Sequence, residues 1–138
     1  MIASLKDQLV RDEELCLKPY TDSVGKLTIG VGRNLTDKGI SVQEAQLLLA
    51  NDISAATAEL QTALPWTATL DDVRKGALLN MAFNMGIGGL LEFHDFLSKM
   101  QAGNFSGAAG AMLDSLWARQ VGARATRLSM QIQTGVWQ

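Results

Sequence analysis

The chain has 138 residues, 47% hydrophobic and 19% charged, which suits one compact domain able to bury a core and is too short for two independent ones. A net charge of -2 and a pI near 5.3 leave no electrostatic footprint for nucleic acid or an anionic membrane. One cysteine, Cys16, and one histidine, His94, exclude an internal disulfide and a closed Cys/His zinc site, and no apolar run has the length of a signal peptide or membrane span.

In chain order, Ile2, Leu5, Leu9 and Val10 recur at helical spacing opposite Lys6, Asp7, Arg11 and Asp12, which predicts a short amphipathic helix ending near Glu14. From Leu17 the texture changes to β-prone runs punctuated by Asp22-Ser23, Gly25 and Asn34, the pattern of a three-stranded meander with tight turns. Ser41 followed by Glu44 reads as a capping box that opens a long helix carrying Ala45, Leu48, Leu49, Ile53, Ala56 and Leu60, to stop before Pro65. Another helix starts at Leu70-Asp71-Asp72 and ends at the glycine cluster MGIGGL. Shorter helical segments follow, broken at Gly103-Asn104 and around Gly122. The expected class is α+β, with a small β lobe over about 15–40, a bridging helix over about 41–62, and a helical lobe formed by 63–138 together with helix 1–14.

Several motifs carry little chemistry. The stretch TIGVGRNL begins like a dinucleotide fingerprint, but Leu35 holds the third glycine position and no βαβ unit surrounds it. His94 beside Asp95 has no nucleophile to activate and reads as a surface or capping residue, and Cys16 lacks a histidine partner and reads as an inert side chain. Trp66, Trp117 and Trp137 read as core or lobe-interface residues. The carboxylates say more. Asp12, Glu13 and Glu14 crowd a helix C-terminus, where the macrodipole disfavours negative charge, so one of them is expected to have a role beyond solvation. Successive helix residues point about a third of a turn apart, so one of the three can face a carboxylate at Asp22, and two opposed carboxyl groups are what glycoside hydrolysis requires. A solvated charged face is the alternative.

Glu13, Asp22 and Thr28, with eight and five residues between them, are followed by TIGVG at Thr28 to Gly32. Together with NMAFNMG at Asn80 to Gly86, the Arg124 region ARATR, and TGVW at Thr134 to Trp137, this order resembles the phage-type lysozymes, T-even-like muramidases of the endolysin kind, over nearly the whole chain. The resemblance implies a two-lobed lysozyme-like fold with a cleft between the lobes. It also implies cleavage of the β-1,4 bond between N-acetylmuramic acid and N-acetylglucosamine in peptidoglycan, without metal or cofactor. Glu13 would be the general acid, Asp22 the carboxylate that positions water or supports the oxocarbenium-like transition state, and Thr28 a hydroxyl beside the attacking water. Tyr20, Gly32, Phe83, Asn84 and Arg124 would bind substrate or tune the site, Arg124 by pairing with the acid. The reaction would be inverting, with carboxyl groups roughly 6.5 to 9.5 Å apart to admit water.

The same resemblance implies a monomer made in the host cytoplasm that acts on periplasmic peptidoglycan. A lytic transglycosylase, or an idle glycan-binding or effector module, are the rival readings; retention of all three motif residues favours hydrolysis. This chain departs from T-even members in its acidic charge, which weakens attraction to an anionic wall, and in the short NLTDKGI connection that leaves the small lobe minimal. Glu14 stands where glycine usually follows the acid, close enough to raise its proton affinity by like-charge repulsion, and Arg33 stands where relatives carry histidine. Arg33 is expected to pair with Asp52 on the long helix.

Overall fold

A computed structural model describes the whole chain, residues 1–138. It is α+β: a three-stranded antiparallel sheet and seven α-helices, in the order α1 (Leu5–Glu13), β1 (Leu15–Thr21), β2 (Leu27–Val31), β3 (Arg33–Asn34), α2 (Val42–Ala63), α3 (Asp72–Leu91), α4 (His94–Gln101), α5 (Phe105–Leu113), α6 (Leu116–Val121) and α7 (Ala123–Thr134). The chain divides into two compact units, Met1–Leu49 and Ala50–Gln138. No helix is long and apolar enough to cross a membrane.

In the first unit, α1 opens on Ser4, whose hydroxyl accepts the amide N–H of Asp7 at 3.1 Å while donating to the Asp7 carboxylate at 2.9 Å. Three residues before Asp7, Ser4 is an N-cap that makes the helix begin later than its apolar periodicity suggests. The helix ends at Glu14, whose N–H still donates to the Val10 carbonyl but whose backbone turns to φ 64°, ψ 145°, the one non-glycine residue with positive φ. Strands β1 and β2 pair antiparallel as Leu15 with Val31 and Cys16 with Gly30, then, past an irregularity, as Tyr20 with Thr28 and Thr21 with Leu27. Strand β3 adds Asn34 opposite Thr28 and Arg33 opposite Ile29. The Ser41 capping box is complete: the Ser41 N–H donates to Glu44 Oε1 at 2.9 Å and the Glu44 N–H to Ser41 Oγ at 3.1 Å.

Arg33 does not meet Asp52. Its guanidinium pairs with Glu44 at 2.9 Å and donates to the Gly39 carbonyl at 3.1 Å. The short connection delivers β3 to the first turn of α2, and Asp52 is eight residues further on, roughly 12 Å along the axis at 1.5 Å per residue. The pair leaves the Arg33 pKa above its ordinary value. Hydrogen bonding from Arg33, then from the Ser41 N–H, holds the Glu44 carboxyl at about 2.

The second unit is built around an apolar core from every helix it contains: Leu60 of α2, Leu78, Met81 and Leu90 of α3, Phe96 and Met100 of α4, Met112 of α5, Trp117 of α6, and Leu128 and Ile132 of α7. Fully burying a side chain of this size contributes about 1.5–3 kcal/mol. Pro65 opens a 3-10 turn, Pro65–Thr69, which the periodicity did not reveal because it is only five residues long. Gly86, at φ 78° and ψ 162°, breaks α3 inside the glycine cluster expected to end it. Arg74 ties three helices together. Its Nε donates to the Ile132 carbonyl at 2.6 Å, its Nη2 to the Gln133 carbonyl at 3.3 Å, and its guanidinium lies 3.8 Å over the Phe105 ring.

Of the three tryptophans, Trp117 is buried, edge-on to Phe93 at 6.2 Å, Trp66 packs half-buried against the core, and Trp137 is exposed with its ring edge against Gly76. His94 is the exposed first residue of α4, and Cys16 is a half-buried free thiol in β1.

Candidate active site

The first unit gathers five of the eight residues singled out in the sequence. Glu13 is the last residue of α1, and its side chain lies over the bare α-carbon of Gly32 at the β2–β3 junction, where a methyl group would stand 3.0 Å from Oε2. Asp22 follows β1 and makes the hairpin turn. Its Oδ1 accepts the N–H groups of Val24 at 3.0 Å and Lys26 at 2.8 Å, an Asx arrangement that fixes the plane of the carboxyl group and leaves Oδ2 without a partner in the chain. Gly25, at φ 84°, lets the turn close, donating to the Asp22 carbonyl at 3.1 Å.

Thr28 is the one buried side chain of this unit, and its hydroxyl donates to the Lys26 carbonyl at 3.1 Å. That carbonyl also accepts the Asp22 N–H at 2.9 Å. The main chain of Lys26 therefore holds both Asp22 and Thr28, a part sequence reasoning did not assign. Its only signal was position, the last residue of the turn between two β-prone runs. The Lys26 ammonium is turned elsewhere, to Asp37 at 3.2 Å.

Tyr20 pairs with Thr28 across the hairpin, so their side chains share a face of the sheet. Burial raises the Tyr20 phenol above its ordinary pKa, and the negative fields of Cys16, Glu13, Asp22 and Glu14 add to that.

The remaining three residues lie in the second unit, where Asn80 and Asn84 stand one turn apart on α3. Asn84 accepts the Trp117 indole N–H at 2.7 Å, a bond that anchors α6 and gives Asn84 a packing role. Arg124 donates through Nε to Asn80 Oδ1 at 2.9 Å and through Nη2 to the Asn80 carbonyl at 3.2 Å. With Arg127, Gln131 and Gln138 it lines a polar cavity of about 290 Å³. Phe83 is exposed. A second concavity, about 450 Å³, is lined by Glu92, Phe93, His94, Asp95 and Asp114 and contains none of the marked residues. No group of three or more His, Cys, Asp or Glu side chains is arranged to hold a metal ion.

A sequence model of the family described as phage lysozyme matches residues 11–131. The pre-baseplate central spike protein Gp5 of Enterobacteria phage T4 is 34% identical over 160 aligned positions that cover 96% of this chain, which spans 28% of that protein. Probable T4-type lysozymes 1 and 2 of Dictyostelium discoideum are 30% and 29% identical, each covering 98% of this chain and 96% of their own length. Because 160 positions exceed 138 residues, at least 22 positions of the Gp5 alignment fall opposite gaps in this chain.

Proposed function

Because the chain belongs to the phage lysozyme family, lysozyme-like muramidases among the glycoside hydrolases, we propose that it hydrolyses the β-1,4 bond between N-acetylmuramic acid and N-acetylglucosamine of peptidoglycan with inversion at the anomeric carbon. The observation that carries this reading is the grouping of Glu13, Asp22 and Thr28 in one small unit, with Asp22 and Thr28 both bonded to the main chain of Lys26 and Glu13 seated on Gly32. Glu13 protonates the leaving glycosidic oxygen. Asp22, its Oδ1 locked by two amides, offers Oδ2 to orient water or to face positive charge developing on the sugar ring. The Thr28 hydroxyl, its O–H donating to the Lys26 carbonyl, keeps lone pairs that accept a hydrogen bond from that water. Arg124 is carried over as a tuning group on the likeness of its segment, while Asn84, bound to Trp117, serves the packing around it.

The test is digestion of purified peptidoglycan by the wild-type chain and by Glu13→Gln, with products read by mass spectrometry and by the anomeric NMR signal of fresh product. Wild-type digestion is expected to give hydrated reducing ends with inverted configuration, and Glu13→Gln is expected to lose activity by a factor of at least about 10²–10⁴, the usual contribution of general acid catalysis. Anhydro-muramic ends would assign a lytic transglycosylase instead, and retained configuration would remove the inverting route. Near-wild-type turnover by Glu13→Gln would remove Glu13 as the acid.

A further inference from the structure

Four glycines of the first unit, Gly25, Gly30, Gly32 and Gly39, have positive φ. At Gly25, Gly30 and Gly39 an added Cβ would meet nothing within 4 Å, so the backbone conformation alone accounts for glycine there. Gly32 differs. At φ 68° its missing Cβ would stand 3.0 Å from Glu13 Oε2, 3.2 Å from Cδ and 3.3 Å from Cγ. The space is occupied by the distal half of one side chain, and that side chain carries the acid. Glu13 has no hydrogen bond from another side chain or from a loop amide to hold its carboxyl group, while Asp22 has two. The bare α-carbon is thus a surface against which the Glu13 stem rests.

We infer that Gly32 is a positioning residue for the glycosidic acid: its lack of a side chain sets where the Glu13 carboxyl group lies. This rests on the reading of Glu13 given above. The consequence is a separation of stability from catalysis. A methyl group at position 32 meets the flexible end of Glu13, which can swing away at little cost to folding. Yet the group displaced must meet the leaving oxygen within hydrogen-bond distance, and misplacement near 1 Å costs roughly a hundredfold in rate.

The experiment compares Gly32→Ala with Gly39→Ala, a matched control with φ 61° and open space around it, and with Glu13→Gln. Both alanine variants carry the same kind of backbone strain, so similar falls in Tm are expected. Gly32→Ala is expected to lower kcat by about tenfold or more with KM within about twofold, whereas Gly39→Ala keeps both near wild type. Gly32→Asn, which tolerates positive φ while restoring a Cβ, is expected to fold and to show the same kcat loss, and it decides the matter if the alanine variant does not fold. Equal activity of the Gly32 and Gly39 variants, with Glu13→Gln inactive, would overturn the positioning role and leave the acid assignment standing. An active Glu13→Gln would overturn the acid assignment itself.

Discussion

The two units hold their shape by different means. Met1–Leu49 has one buried side chain, Thr28, and is ordered by caps, turns and main-chain bonds: Ser4 on α1, the Asp22 turn, the Ser41 box, and Arg33 on Glu44. Ala50–Gln138 also has capped helices, at Asp71, Asn104 and Ser115, and side-chain bonds such as Gln131 to the Val73 carbonyl, but these surround an apolar core in which Phe96, Met81, Met112, Ile132 and their neighbours interlock. The unit that holds the three motif residues is the one with least apolar burial. Polar local structure fixes a carboxyl group's orientation, as at Asp22, in a way an apolar core does not, and each bond contributes only about 0.5–1.5 kcal/mol. The placement of Asp22 and Thr28 is thus set by several small terms, each sensitive to one substitution.

The sharpest way to break this contrast is Phe96→Ala. Phe96 is 2% exposed and packs edge-on to Phe93, so its truncation is expected to cost about 3–5 kcal/mol, read as a lowered denaturant midpoint and as lost amide protection in α4 and α5. An equal loss of protection in the sheet of the first unit would show that the two regions do not differ as described.

Several of the local elements were legible beforehand. The capping box at Ser41 and Glu44, the three-strand meander and the glycine breaks at 103 and 122 follow from local rules, so they could be read without tertiary knowledge. Glu13, Asp22 and Thr28 were singled out only through the resemblance of their order to the phage-type lysozymes, because helix geometry leaves the choice among Asp12, Glu13 and Glu14 open. The partner of Arg33 was not, because which acid of α2 it meets depends on how tightly residues 35–41 turn, a distance that pattern does not encode. Lys26 was missed for a related reason: it acts through its main-chain N–H and carbonyl, and main-chain roles leave no mark on residue type. The Asn84 bond to Trp117 joins residues 33 apart in sequence, beyond any local periodicity.

A smaller effect of opposite sign is expected at Glu14. A non-glycine residue at φ 64°, ψ 145° carries backbone strain that glycine does not, so Glu14→Gly is expected to stabilise the first unit by about 1 kcal/mol, roughly 3 °C in Tm, after the entropic cost of glycine is deducted. Glu14→Gln keeps the strain and removes the charge. If it stabilises as much as Glu14→Gly, charge crowding rather than backbone geometry accounts for the gain.

The smallest effect concerns Arg33 and Glu44. The folded carboxyl is depressed to about 2 from an ordinary 4.5, so its contribution is present above about pH 4.5 and is lost as pH falls toward 2. The pair is partly solvent-exposed, which keeps the contribution small. The stability difference between wild type and Glu44→Gln, from denaturant midpoints at a series of pH values, is expected to shrink through that window. A difference independent of pH would mean that the neutral capping bonds, and not the ion pair, carry it.

The reporters for such measurements are already distributed by the sequence. All three tryptophans, Trp66, Trp117 and Trp137, belong to the second unit, and the single thiol, Cys16, sits half-buried in β1 of the first. Indole emission therefore follows the helical region alone, while the rate at which an alkylating reagent captures Cys16 follows the opening of the sheet. One unlabelled sample can register the melting of one unit by light and the breathing of the other by chemistry.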